Sequence, residues 1–276
     1  MKRSGFLLPR VLLGIISFPR WSRIWGRIMR LRRPRILARL MIGGFRRHYR
    51  IAMDEFAGEA EDYPSLADFF VRPIDPQKRA LRRDERYIVS PADGFLSEME
   101  LIREDSCTQV KGRSYRLSAL LGEKIDFSAG WHVATIYLAP SNYHRFHYPL
   151  SGTVTRFRHE PGRLYPVNAF SAARIDRLYV RNERVIVEIE SGGRRAYVAA
   201  VGATFVGGIR MEFDSLDRPS GEWVEARRPI SQLDEMGRFE MGSTIVLVLP
   251  ISMVGAVVAA KGKPIRVGDP LFQVRS

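Results

Sequence analysis

The chain has 276 residues, 45% of them hydrophobic, and a formal net charge of +14. That is enough for one large domain with an appendage, or for two small domains. Its single cysteine, Cys107, excludes an intramolecular disulfide framework and a cysteine-based zinc cluster, and no motif around it marks a reactive thiol. Residues 1–50 carry 14 Lys or Arg and no Asp or Glu, which leaves residues 51–276 with 30 basic and 30 acidic residues. A neutral body argues against a general nucleic-acid binder and for a separable basic attachment segment.

That segment has helical periodicity. Leu7, Leu8, Val11, Leu12, Ile15 and Ile16 recur at helical spacing, as do Trp21, Ile24, Trp25, Ile28 and Met29, with Arg20, Arg23, Arg27 and Arg30 on the other side. Pro34 is expected to open a further helix carrying Ile36, Leu37, Leu40, Met41 and Phe45. The longest uninterrupted apolar run, residues 11–18, is far short of the ~20 residues a spanning helix needs. Basic amphipathic helices with tryptophans instead lie in the interface of an anionic membrane. Pro9, Arg10 and the lack of a small-residue cleavage site after Phe18 disfavour a secretory signal. An organellar transit peptide shares the Arg-rich, acid-poor composition, but no long Ser-rich leader precedes the core, which favours a bacterial membrane.

Residues 51–86 read as a connector. Ser65 is expected to cap a short helix with Asp68 three residues on, and the charged stretch 78–86 to be a solvated surface. From about Tyr87 the chain reads mostly as strands: residues 132–138, 153–158, 178–180, 185–189, 196–201, 245–249 and the closing segment 264–274. Turns are expected at Ser151-Gly152, Arg181-Asn182-Glu183, Gly192-Gly193 and Gly268-Asp269-Pro270. One helix is expected over 115–121, stopped by Gly122. The expected class is α+β, a β-rich catalytic core with N-terminal basic amphipathic helices, divided into residues 1–60 and 61–276.

Three islands carry chemistry. Ser243 follows Gly242 just ahead of a β-branched run; His144 and His147 form a pair three residues apart before Pro149; Asp93 stands in Pro91-Ala92-Asp93-Gly94. A serine is a weak nucleophile without an adjacent base. A histidine oriented by an acid would supply one, as in a Ser-His-Asp triad. The surroundings of Ser243 lack the G-x-S-x-G elbow of a hydrolase, because Met241 stands where the first glycine belongs. A second reading has Ser243 Oγ attack the carbonyl of Gly242, where a residue without Cβ tolerates strain and close approach. The acyl shift gives an ester, elimination gives dehydroalanine, and hydrolysis leaves a pyruvoyl group on a new N-terminus. A pyruvoyl carbonyl forms a Schiff base with an amine and acts as an electron sink. A zinc site on His144 and His147 would need a third ligand, and no His-Glu-x-x-His helix is present.

Together these islands resemble phosphatidylserine decarboxylase proenzymes. The resemblance spans Asp68-Phe69-Phe70-Val71-Arg72-Pro73, residues 90–94, Val110-Lys111-Gly112, Ile136-Tyr137-Leu138-Ala139-Pro140, residues 143–147, Pro166-Val167-Asn168, Asn182-Glu183-Arg184, Val201-Gly202-Ala203 and Gly242-Ser243-Thr244. Met241 departs from the Leu or Phe usual in the family, and Val206-Gly207-Gly208 lacks the usual Ser after the first Gly. The resemblance implies decarboxylation of phosphatidylserine to phosphatidylethanolamine and CO₂, with no metal or pyridoxal cofactor. It implies self-cleavage between Gly242 and Ser243 into a β chain, 1–242, and an α chain, 243–276, that stay together as a heterodimer. Asp93 and His147 would serve with Ser243 as the cleavage relay. His144 would orient the substrate carboxylate or return the proton to Cα. The expected place is the cytoplasmic face of the inner membrane, bound peripherally, with no nucleic-acid partner. A membrane-bound serine hydrolase, a non-enzymatic membrane adaptor and a pyruvoyl-dependent decarboxylase of a soluble amino acid stay open on the residues alone.

Overall fold

The computed structural model describes residues 26–110, 112–203, 208–216, 221–240 and 242–275. The expected helices over residues 7–25, and Lys111, Val206, Gly207 and Met241, lie outside them. An eight-stranded antiparallel sheet organises the chain. Its spatial order is Trp223–Ile230, Gly152–Glu160, Arg184–Ser191, Arg194–Gly202, Ser243–Pro250, Trp131–Leu138, Gly94–Ile102 and Pro264–Ile265. Strand Ser243–Pro250 is interior, paired with Trp131–Leu138 on one side and Arg194–Gly202 on the other.

This strand is apolar on both faces, as a strand covered from both sides must be. Ile245, Leu247 and Leu249 join one buried cluster with Phe146, Met236 and Phe239. Val246 and Val248 join a second with Leu117, Leu120, Leu121 and Leu178. The first cluster is closed by a small sheet of Ile209–Met211, Glu235–Phe239 and Arg145–His147. Another small sheet, Tyr87–Val89, Pro270–Val274 and Val254–Val257, covers its far end. The second cluster is covered by short helices, Leu117–Leu121 and Leu178–Arg181.

Local signals act largely where the sequence places them. Pro34 is the N-cap of helix Arg35–Tyr49. Ser65 Oγ accepts the Asp68 N–H at 3.2 Å and caps Leu66–Phe70. Gly122 ends Leu117–Leu121 in the left-handed conformation, while Tyr115, the expected start of that helix, closes the strand Arg113–Tyr115, which pairs with Cys107–Val110. Residues 178–180 are a turn of helix rather than a strand. An apolar run this short has no period to decide between the two. The stretch 78–86 is not uniformly solvated either, since the Arg79 side chain is 10% exposed.

Helix Arg35–Tyr49 and the connector form a third cluster. Met29, Ile42, Ile51, Met53, Phe56 and Phe69 pack there with Val89, Tyr143 and Val267 of the body. The connector's Phe56 ring lies 6.3 Å from that of Tyr143, the residue that precedes His144.

Candidate active site

Ser243 is the first residue of the interior strand, its backbone held between Leu138 and Gly202. The side chain is 0% exposed. Gly242 lies just outside the strand at φ +36°, where a side chain is strained. The scissile bond expected from the sequence thus joins a glycine in a left-handed conformation to a residue fixed on both sides.

The serine hydroxyl meets His144. Oγ and Nδ1 are 3.4 Å apart, the long contact of a site before reaction. His144 Nε2 donates to the Ala139 carbonyl at 3.0 Å. A carbonyl only accepts, so the proton sits on Nε2 and the Nδ1 lone pair faces the serine. Phe70 stacks on the imidazole, with ring centroids 3.9 Å apart. Burial, together with the nearby Arg72 cation, brings the His144 pKa down to about 3 and keeps the ring neutral. The structure thus offers a hydroxyl beside an unprotonated base.

His147 faces elsewhere. Its Nδ1 donates to the Leu233 carbonyl at 2.8 Å, and its Nε2 accepts from the Tyr143 hydroxyl at 3.0 Å. Burial lowers its pKa as well. Asp93 is held by Arg79 through both carboxylate oxygens, at 2.7 and 2.8 Å, and Oδ1 also accepts the Val267 N–H at 2.8 Å. Its charge reaches His147 through the field rather than through a hydrogen bond. Gly94 is required beside it, because a Cβ there would lie 2.4 Å from the Tyr137 carbonyl oxygen. Ser243 and His144 are therefore brought together, while Asp93 and His147 stand behind them with other partners.

Arg79 and Arg72 are the residues that sequence reasoning passed over. Arg79 sits in a run of charges, with nothing to show that one of them turns inward. Arg72 stands between Val71 and Pro73, where nothing in the sequence marks it as buried. Cys107 is buried, and burial raises its thiol pKa, which removes it as a nucleophile. His159 pairs with Glu183 and His132 lies on the strand Trp131–Leu138, apart from this constellation.

A cleft of about 390 Å³ is lined by Arg30, Arg32, Arg210 and Arg238 with Asp68 and Glu240. Arg30 and Arg210 both pair with Glu240, three residues before Ser243.

These residues fit a group made from Ser243 itself: a hydroxyl, a neutral base, a glycine without Cβ before it and an interior strand that holds position 243. A family model described as phosphatidylserine decarboxylase matches residues 66–273. A phosphatidylserine decarboxylase proenzyme of Psychrobacter cryohalolentis is 37% identical over 234 residues, 83% of this chain and 84% of that one. The proenzyme of an Anaeromyxobacter species is 36% identical over 261 residues, covering 91% and 92% of the two chains. That of Bordetella pertussis is 37% identical over 265 residues, covering 91% and 89%.

Proposed function

Since the chain belongs to the phosphatidylserine decarboxylase family, we propose that it removes the carboxylate of phosphatidylserine as CO₂, using an electron sink made from its own Ser243. The contact of Ser243 Oγ with His144 Nδ1 is the observation that carries this reading.

In the proposed self-cleavage, His144 Nδ1 takes the hydroxyl proton as Oγ attacks the Gly242 carbonyl carbon. The Gly242–Ser243 C–N bond breaks, the nitrogen takes a proton, and an ester joins Gly242 to Oγ. Loss of the Ser243 Cα proton expels the Gly242 carboxylate and leaves dehydroalanine. Water then displaces ammonia, and residues 1–242 and 243–276 become separate chains. Pairing of Ser243–Pro250 with both neighbours supports their staying together. The relay implied by the sequence would need His147 Nε2 to leave Tyr143 for the serine. His147 and Asp93 are proposed to act on cleavage from behind His144.

The pyruvoyl group so formed supplies a ketone carbonyl that condenses with a primary amine and draws off the electron pair left by CO₂. The chain's own residues do the rest. His144, buried beside position 243, is placed to return a proton to the substrate Cα. The buried walls exclude water, which would stabilise the departing carboxylate.

Residues 1–60 are proposed to hold the enzyme on an anionic membrane. Helix Arg35–Tyr49 buries Ala38 and Ile42 yet leaves Ile36 64% and Leu40 66% exposed, with Leu37 also in solvent. Its apolar residues thus divide between a core face and an outward face, as an interfacial helix requires. Among the described residues no helix is long and apolar enough to cross a membrane. We place the enzyme peripherally on the cytoplasmic face of a bacterial inner membrane. The test is CO₂ release from phosphatidylserine vesicles by the full chain and by Ser243→Ala. Release by the parent alone is expected; equal release by the variant would overturn the reading.

A further inference from the structure

We propose that Arg72 is the positioning residue of this site, a buried cation with no ion-pair partner among the described residues, which clamps the turn carrying His144 and sets where the imidazole sits against Ser243. The geometry rests on one short segment. Arg72 donates to the carbonyls of Ser141 at 2.7 Å and Asn142 at 3.3 Å. The turn 139–142 is closed by Asn142, whose N–H donates to the Ala139 carbonyl and whose Oδ1 accepts the Ala139 N–H. That same Ala139 carbonyl receives His144 Nε2. Two residues before Arg72, Phe70 stacks on the imidazole, and the Val71 carbonyl accepts Arg145 Nε at 2.8 Å. Residues 70–72 therefore grip residues 141–145 at three successive points.

The cation itself is unusual. Arg72 is fully buried, and among the described residues no carboxylate lies within ion-pairing distance of it. It lies over the Phe56 ring, 4.2 Å from the centroid, and its Nε has no hydrogen-bond partner. Burial lowers its pKa only to about 10, so it stays charged at neutral pH. The charged groups on neighbouring elements are matched instead: Arg145 with Glu235, Asp68 with Arg32, Glu240 with Arg30 and Arg210, and Asp93 with Arg79. Among the described residues the charge left unmatched near His144 is thus positive and opposes protonation of the imidazole. A buried cation without a counter-ion costs stability. Keeping the base neutral is a return for that cost which a neutral hydrogen-bond donor would not give.

Arg184 is the internal comparison. It too is buried and donates only to carbonyls, those of Ala119, Leu120, Val180 and Asn182. Ala119, Leu120 and Val180 belong to the short helices at the second cluster and Asn182 caps the later one, so the bonds of Arg184 brace that cluster rather than the turn of His144. A clamp that only braces the fold should behave like Arg184.

The test uses the full chain carrying Ser243→Ala, so that its result does not depend on self-cleavage. The imidazoles are followed by nitrogen NMR during an acid titration, with and without Arg72→Met, Arg72→Lys or Arg184→Met. In the parent and in Arg184→Met, His144 should stay neutral, protonated on Nε2, to below about pH 5. In Arg72→Met its titration should move up from the parental position while burial still holds it below the ordinary imidazole range, and Arg72→Lys should hold it down. On the Ser243 background, Arg72→Met and Arg72→Lys should both slow cleavage by ~10-fold or more, because a lysine lacks the planar fork that reaches the Ser141, Asn142 and Phe69 carbonyls at once. A folded Arg72→Met whose His144 titrates as in the parent would overturn the proposal. If Arg72→Met does not fold, parental cleavage by Arg72→Lys would overturn it instead. The inference uses the proposed function only for the cleavage arm. A wild-type chain that stays whole would count against that function and leave the titration result standing.

Discussion

Ser243 Oγ lies 3.4 Å from His144 Nδ1, and the far nitrogen of that ring is tied to the Ala139 carbonyl. The contact orders the two histidines. His144→Ala should slow self-cleavage by ~100-fold or more, the loss of a general base. His147→Ala should slow it less, by way of Tyr143 and Leu233. Timed gels of the two variants decide the order. Full cleavage by His144→Ala with none by His147→Ala would hand the base role to His147.

The pH dependence follows from the direction of the shifts. The folded-state pKa of His144 is lowered to about 3, and that of His147 is lowered too. The unfolded chain therefore binds protons that the folded chain refuses once pH falls below the ordinary imidazole value of about 6.5. The stability these rings contribute is complete above that value and is lost as pH falls toward the folded pKa. Cleavage should show no acid limb near neutrality, because the base stays unprotonated. Rates measured from neutral to mildly acid pH check this. A limb at ordinary imidazole pKa would mean that His144 is not the base.

The Asp93–Arg79 pair is a structural charge pair, 13% and 10% exposed at the side chains. Breaking one partner of a buried pair leaves the other uncompensated. Asp93→Ala should cost roughly 3 kcal/mol in denaturant unfolding. The double variant Asp93→Leu, Arg79→Met should recover part of that loss. Additive losses would mean that the two side chains do not depend on each other.

Much of this arrangement is legible in the sequence because the signals are local. Pro34 opens a helix, Ser65 caps one, Gly122 stops one, and the β-branched run after Ser243 becomes the interior strand. Residues 178–180 show the limit, since three apolar residues fit one helical turn as readily as a strand. The site is harder to read. Ser243 and His144 are both visible as candidates, but their contact depends on how the small sheet of Arg145–His147 and Glu235–Phe239 seats against the large one. Arg79 and Arg72 look like any other arginine until folding removes them from water.

The exposed stripe on helix Arg35–Tyr49 gives a membrane prediction. Ile36→Ser with Leu40→Ser should reduce binding to anionic vesicles while leaving the thermal midpoint near that of the parent, since neither residue is buried. High salt should weaken binding further, as each basic residue near the surface is worth about 1 kcal/mol. Vesicle co-sedimentation measures both. Binding indifferent to the two substitutions and to salt would remove this helix from the contact.

The most direct measurement is the intact mass of the purified chain under denaturing conditions. Two chains dividing after Gly242 are expected, the smaller one lighter by the exchange of its amino terminus for a ketone. A single chain of unmodified mass, in a preparation that decarboxylates phosphatidylserine, would contradict a catalytic group made from Ser243.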